Sequence, residues 1–199
     1  RQAHRVVADA RGGCCSGQDS QQVMSHNCIS LVLRAKTMSA TSSSPQFTMR
    51  NAIRTDLPRI LALLPLLADF NIPKNRNADD LWSADARLAA DILSDKAASA
   101  FIDVAEDSDG DIAGVIMVSL RKELLSHAPS AHLEAIVVSP NARGRGLGKR
   151  LMHHCEQRVR AMGALSLTLH VFANNERART LYASETFDEE LIRAIKWLD

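Results

Sequence analysis

The stretch Leu133-Glu134-Ala135-Ile136-Val137-Val138-Ser139-Pro140-Asn141-Ala142-Arg143-Gly144-Arg145-Gly146-Leu147-Gly148-Lys149-Arg150-Leu151-Met152 reads as a strand, a tight loop and the opening of a helix. The apolar, β-branched run ends at Ser139-Pro140, because proline has no amide hydrogen to give to a central ladder. Past the loop, Leu147, Leu151, Met152, Cys155, Val159 and Met162 recur at helical spacing until Gly163 closes the helix. Gly144, Gly146 and Gly148 therefore precede a helix N-terminus. Glycine has no Cβ to hold a ligand away, and the first amides of a helix lack partners within it, so the expected guest is a phosphate or pyrophosphate.

Spacing separates the phosphate loops that could be meant. A P-loop needs Gly-x-x-x-x-Gly-Lys-Ser/Thr, but position 143 is arginine and Lys149 is followed by Arg150. The dinucleotide fingerprint Gly-x-Gly-x-x-Gly is also missed, since the glycines here alternate and the loop does not open the fold. What remains is Arg-x-x-Gly-x-Gly, filled by Arg143, Gly146 and Gly148.

The chain as a whole narrows the field. Its 199 residues and 46% hydrophobic content suit one ordinary domain with a tail. With 24 basic and 23 acidic residues there is no global field to draw in nucleic acid or an anionic membrane. The apolar run from Ile60 to Ala68 is broken by Pro65 and falls well short of the roughly 20 residues a membrane span needs. Cys14, Cys15, Cys28 and Cys155 form no zinc spacing or disulfide framework, which fits a reducing compartment. The cytoplasm is expected, and no metal.

Residues 1–47 are rich in Ser, Gln, Arg and Gly, with Asp9 and Asp19 their only acids, and are expected to form a disordered extension. That composition also fits an organellar leader, although Cys28 to Leu33 could be one stray strand. Residues 48–199 form the domain. A strand from Phe47 to Arg54 precedes Thr55-Asp56-Leu57-Pro58, a helix start, and Pro65 kinks or ends that helix. Asp69 to Asn77 is a loop, and a helix from Asp79 to Leu93 places Leu81, Leu88, Ala89 and Ile92 on one face. Ala100 to Ala105 and Ile112 to Leu120 form a hairpin around Asp109-Gly110, and Arg121 to Ser130 is a polar connection. After the central loop and helix, Leu165 to Phe172 must pair parallel with the strand before them. A helix from Glu176 to Glu185, capped by Asn174 or Asn175, and a closing strand from Leu191 to Leu198 complete the order β-α-α-β-β-β-α-β-α-β. The fold class is α/β with a mixed sheet.

That order, the Arg-x-x-Gly-x-Gly loop and the run Asn175-Glu176-Arg177-Ala178-Arg179-Thr180-Leu181-Tyr182 together resemble the GNAT superfamily of acetyl-CoA-dependent N-acetyltransferases. The second motif is similar to that family's Asn-x-x-Ala-x-x-Leu-Tyr helix. Where the family usually has Gly-Phe after the tyrosine helix, this chain has Thr186-Phe187, so the helix exit is expected to be costly or rearranged. The resemblance implies an acetyl-CoA pyrophosphate on the amides of Arg143, Gly144, Arg145, Gly146, Leu147, Gly148 and Lys149, with charge from Arg143 and Arg145. It also implies that Ile136, Val137 and Val138 line the donor arm, with the parallel strands splaying at Val137 and Val138 to free an amide for the oxyanion. Asn175 would contact the pantetheine arm as well as cap its helix.

Acetyl transfer needs a neutral amine. An alkyl amine near pKa 10.4 is only about one part in 2,500 neutral at pH 7, a deficit of roughly 4.6 kcal/mol, so a base is valuable. Glu134 is the candidate, because strand period two places it on a face with His132, Ile136 and Val138, and an idle carboxylate in a buried strand is expensive. The bland alternative is a carboxylate paired with an arginine or held in water. His132 is a reserve base. Tyr182, the only tyrosine, would protonate the departing sulfur, its alternative being a core aromatic. His170 reads as a satisfied histidine, and Arg158 and Arg160 as a solvated charge run. The implied reaction is direct attack in a ternary complex. A small-molecule amine is the first acceptor, a protein N-terminus or lysine the second, and a non-catalytic CoA-binding regulatory domain the non-enzyme alternative. A homodimer is compatible; nucleic acid and membrane partners are not expected.

Overall fold

The computed structural model describes residues 47–198. The readings of residues 1–46, as extension, leader or stray strand, lie outside the described residues. Five strands form one sheet in the order β1 (Thr48–Asn51), β2 (Ala100–Glu106), β3 (Ile112–Lys122), β4 (Pro129–Val138) and β5 (Ser166–Leu169). The first three pairings are antiparallel and β4 pairs parallel with β5, as a helix crossover requires. The helices are α1 (Leu57–Leu63), α2 (Ser83–Leu93), α3 (Leu147–Ala161) and α4 (Glu176–Ser184).

The sheet separates two cores. On one face α3 lays Leu147, Leu151, Met152, Cys155 and Val159 against Ile116, Val118, Ala131 and Leu133. On the other, Ile60 and Leu64 from the first helical segment and Ala89 from α2 cover Val104, Val115, Met117, Ala135 and Val137. Gly114 sets the depth of α3: a Cβ there would lie 2.9 Å from Leu151 Cδ1 and 3.2 Å from the Val137 carbonyl. Its absence lets the loop end of α3 sit directly on the sheet.

Proline acts as expected at Pro65, ending α1 and opening a 3-10 segment, Leu64–Ala68. The expected helix from Asp79 is divided, with a 3-10 turn Asp79–Leu81 and then α2, because Trp82 leaves helical geometry at φ −139°. The polar connection from Arg121 to Ser130 is mostly strand: Arg121 pairs with Ser130 and Lys122 with Pro129. Backbone ladders do not require apolar side chains at a sheet margin. β5 stops at Leu169, three residues short of the expected Phe172.

The closing strand from Leu191 to Leu198 does not form; residues 188–198 belong to no helix or strand. Its apolar residues break period two, with Leu191 adjacent to Ile192, so no register buries them on one face. Leu191, Ile192, Ile195, Trp197 and Leu198 are exposed, and the Arg76 guanidinium lies 5.0 Å from the Trp197 ring.

The exit from α4 keeps its cap in spite of threonine. Thr186 takes the left-handed conformation at φ 61°, and the Phe187 and Thr186 amides donate to the carbonyls of Tyr182 and Ala183 at 3.0 and 3.2 Å. Arg158 is not part of a solvated run. It pairs with the fully buried Asp103, and its guanidinium lies 3.8 Å from the Phe101 ring centroid. His154 Nε2 lies 2.9 Å from the other oxygen of Asp103.

Candidate functional site

The glycine loop presents free backbone amides at the N-terminus of α3. Gly144 and Gly146 both take φ 73°, a conformation that costs an L side chain dearly, and Gly146 caps α3 with no side chain over the end. Among the described residues, none of the amides of residues 144–149 bonds to a protein acceptor; the first that does is Arg150, to the Gly146 carbonyl at 3.2 Å. A Cβ at Gly144 or Gly146 would meet nothing within 4 Å, so the left-handed backbone and not crowding is what calls for glycine there. A polyphosphate fits a run of unpartnered donors at the positive end of a 15-residue helix.

Two of the basic side chains around the loop, Arg143 and Lys149, already face carboxylates. Arg143 donates through Nη1 to Asp69 Oδ2 at 2.7 Å and through Nε to the Val138 carbonyl at 3.3 Å. Lys149 Nζ lies 3.3 Å from Glu185 Oε1, and His153 Nε2 lies 2.9 Å from Glu185 Oε2. Arg145 is exposed.

α4 stands beside the loop. Asn175 caps it, its side-chain oxygen accepting from the Ala178 amide at 3.2 Å. A Cβ on Gly148 would come within 3.3 Å of Leu181, so glycine there also permits α3 and α4 to meet. Tyr182, next to that contact, is half-buried with its ring 5.8 Å from Phe187, and burial pushes its phenol up to about 12. The hydroxyl therefore keeps its proton at neutral pH.

β4 and β5 are paired from Ser130 and Ser166 to Leu133 and Leu169, and then part. The opening thus begins at Glu134, not at Val137 and Val138 as expected. The β3–β4 register also shifts there: Met117 faces Ala135 while Val118 faces Leu133, leaving Glu134 as the extra residue of a bulge.

This bulge separates Glu134 from Ile136 and Val138, with which it was expected to share a face. Ile136, Val138, Leu133 and Ala131 all pack toward α3, which continuous period two would forbid. Glu134 looks the other way: Asp85 on α2 is pushed up to about 6, first by burial and then by the Glu134 charge. The acidic partner Asp85 was legible and was missed, since it falls on the same helical face as Leu81, Leu88 and Ile92, where a carboxylate is out of place.

His132 is 3% exposed and lies at the β4–β5 seam, with Nδ1 2.7 Å from Thr168 Oγ1 and its ring edge-on to the exposed His170 at 4.7 Å. Burial, helped by Arg121 and His170, holds it down at about 4. Cys155 is buried on the α3 face and pushed up to about 12, so it offers no thiolate nucleophile. Among the described residues no helix is long and apolar enough to cross a membrane.

Residues 63–186, which hold the glycine loop, the capped tyrosine helix and the parting strands, match a known family model described as acetyltransferase (GNAT) family. The chain belongs to the GNAT acetyltransferase family. It is 45% identical over 47 residues to the uncharacterized N-acetyltransferase YycN of Bacillus subtilis, a match covering 24% of this chain and 30% of that protein. It is 40% identical over 63 residues to the [ribosomal protein bS18]-alanine N-acetyltransferase of Salmonella typhimurium, covering 32% and 43%. These matches span less than half the length of either relative. Among solved structures, AAC(6')-Iy in complex with a CoA-S-monomethyl-acetylneamine bisubstrate analogue superposes with a TM-score of 0.58 at 24% identity, over 77% of this chain and 98% of that one. The mixed sheet with its two helical faces is thus the fold of this GNAT domain.

Proposed function

We propose that the chain is an acetyl-CoA-dependent N-acetyltransferase that acetylates a primary amine by direct attack in a ternary complex, with a small molecule as acceptor. The observation that carries this reading is the run of unpartnered amides from 144 to 149. Bound acetyl-CoA supplies an activated acyl carbon as its thioester. The amides of Gly144 to Lys149 would hold the pyrophosphate, and Asn175 and the freed edge of β4 from Ile136 to Val138 would flank the arm.

Glu134 acts as the base. Its charge reaches Asp85 on α2, and that carboxyl, pushed up to about 6 by burial and by Glu134, can pair with an incoming ammonium, which passes one proton to Glu134 and attacks as the neutral amine. Tyr182 Oη, protonated at neutral pH, donates to the departing sulfur. The amine attacks directly, since Cys155 is buried and held as a thiol.

A second acceptor class has its own support. The similarity to a ribosomal-protein alanine N-acetyltransferase favours a protein N-terminus, whereas the likeness to AAC(6')-Iy favours an amino sugar. Calorimetry of the full chain with acetyl-CoA, beside Gly146→Trp, tests the donor site. Micromolar binding lost in the variant supports it, and no binding by folded wild type sinks it. Thiol release with an aminoglycoside panel and an Ala-initiated peptide then separates the acceptors.

A further inference from the structure

The segment that follows the 3-10 turn is tied across the donor side of the molecule. Asp69 Oδ2 accepts from Arg143 Nη1 at 2.7 Å and lies 3.7 Å from Arg177 Nη1. Arg177 Nη2 also donates to the Asp69 carbonyl at 3.4 Å, and Asn174 donates through its amide to the Asn71 carbonyl. Phe70 stacks at 5.5 Å on Phe172, just past the end of β5. One carboxylate is therefore gripped by two guanidiniums, one leading into the glycine loop and one in the first turn of α4, two residues beyond Asn175.

Two arginines around an oxyanion form a ligand set for phosphate as much as for carboxylate. Arg143 is the main reason Asp69 is held below the usual carboxylate range, so the occupant is charged at any neutral pH. Both partners are part-exposed, Arg143 at 30% and Asp69 at 49%, and pairs of that kind are weak and exchange readily.

We propose that Arg143 and Arg177 form an anion fork for the donor's phosphates, that Asp69 fills it while no donor is bound, and that the incoming phosphate displaces Asp69 and frees the 69–77 segment. The idea rests on the donor reading above and adds Arg177 and Asp69 to it. It also links the two halves of the site, because that segment leads through the 3-10 turn Asp79–Leu81 into α2, whose Asp85 feels the charge of Glu134. Donor binding would thereby loosen one wall of the acceptor side.

The test is calorimetry of the full chain with CoA, with amide hydrogen exchange read over residues 69–77. Asp69→Asn, which removes the competing charge, should bind CoA about two- to fivefold more tightly than wild type. Arg177→Gln should bind it more weakly by a similar factor. Exchange over 69–77 should quicken when CoA is added to wild type and should already be fast in Asp69→Asn alone. Unchanged or weaker binding by Asp69→Asn, or exchange that slows on adding CoA, would overturn the proposal. Folded wild type that binds no CoA would overturn the donor reading itself, a result distinct from binding that Asp69→Asn leaves unmoved.

Discussion

The two halves of β4 behave differently. From Ser130 to Leu133 the strand has ladder partners on both sides, and its serine and histidine are spent on holding β5, with Ser166 Oγ donating to Ser130 Oγ at 2.8 Å. From Glu134 to Val138 only β3 remains as a strand neighbour, and no strand pairs with the other edge. A β-strand becomes a candidate binding surface where it loses one neighbour, and here the bulge at Glu134 marks the change. The half held on both sides is structure; the half held on one side is where chemistry can be done.

That contrast can be broken first at Glu134. If the free half is catalytic, Glu134→Gln should slow acetyl transfer about a hundredfold while leaving CoA affinity in place, as measured by steady-state thiol release and calorimetry. An equal loss of both would return Glu134 to a structural role. The closed side of the sheet should fail differently: Arg158→Ala strips Asp103 of its main partner in a fully buried position and should lower stability by about 3 kcal/mol in urea unfolding, with no specific effect on turnover.

A smaller effect concerns His132, on the paired half. Its imidazole binds a proton more weakly folded, at about 4, than unfolded, near 6.5. The unfolded chain therefore takes up the proton first, so His132 should make stability fall as pH drops from about 6.5 toward 4. His132→Asn should flatten that part of the pH–stability curve. The smallest effect is at Thr186, where glycine would relieve the left-handed strain; Thr186→Gly should raise stability by about 1 kcal/mol.

Much of this was legible because it depends on local rules. Alternating glycines before an apolar helix imply free amides in any fold, Asn175 caps its helix by a bond three residues long, and Pro65 ends α1 by lacking a hydrogen. The parallel pairing of β4 with β5 followed from the helix between them. Even the cost at Thr186 could be read in advance, although the cap held.

What could not be read depends on which distant residues meet. Period two presumes an unbroken strand, and one extra residue at Glu134 moved Ile136 and Val138 to the α3 face and away from the face expected to carry them with Glu134. No local pattern ties Asp69 to Arg143 and Arg177, or Arg158 to Asp103, because those pairs join segments that only the folded sheet brings together. The sequence by itself determined the glycine loop, the capped tyrosine helix and the family, since each rests on hydrogen bonds and sterics within a few residues. Only the tertiary structure decided which way Glu134 looks, where the strands part and which anion now holds the loop arginine, because side-chain direction, strand neighbours and ion partners are settled by packing across the sheet.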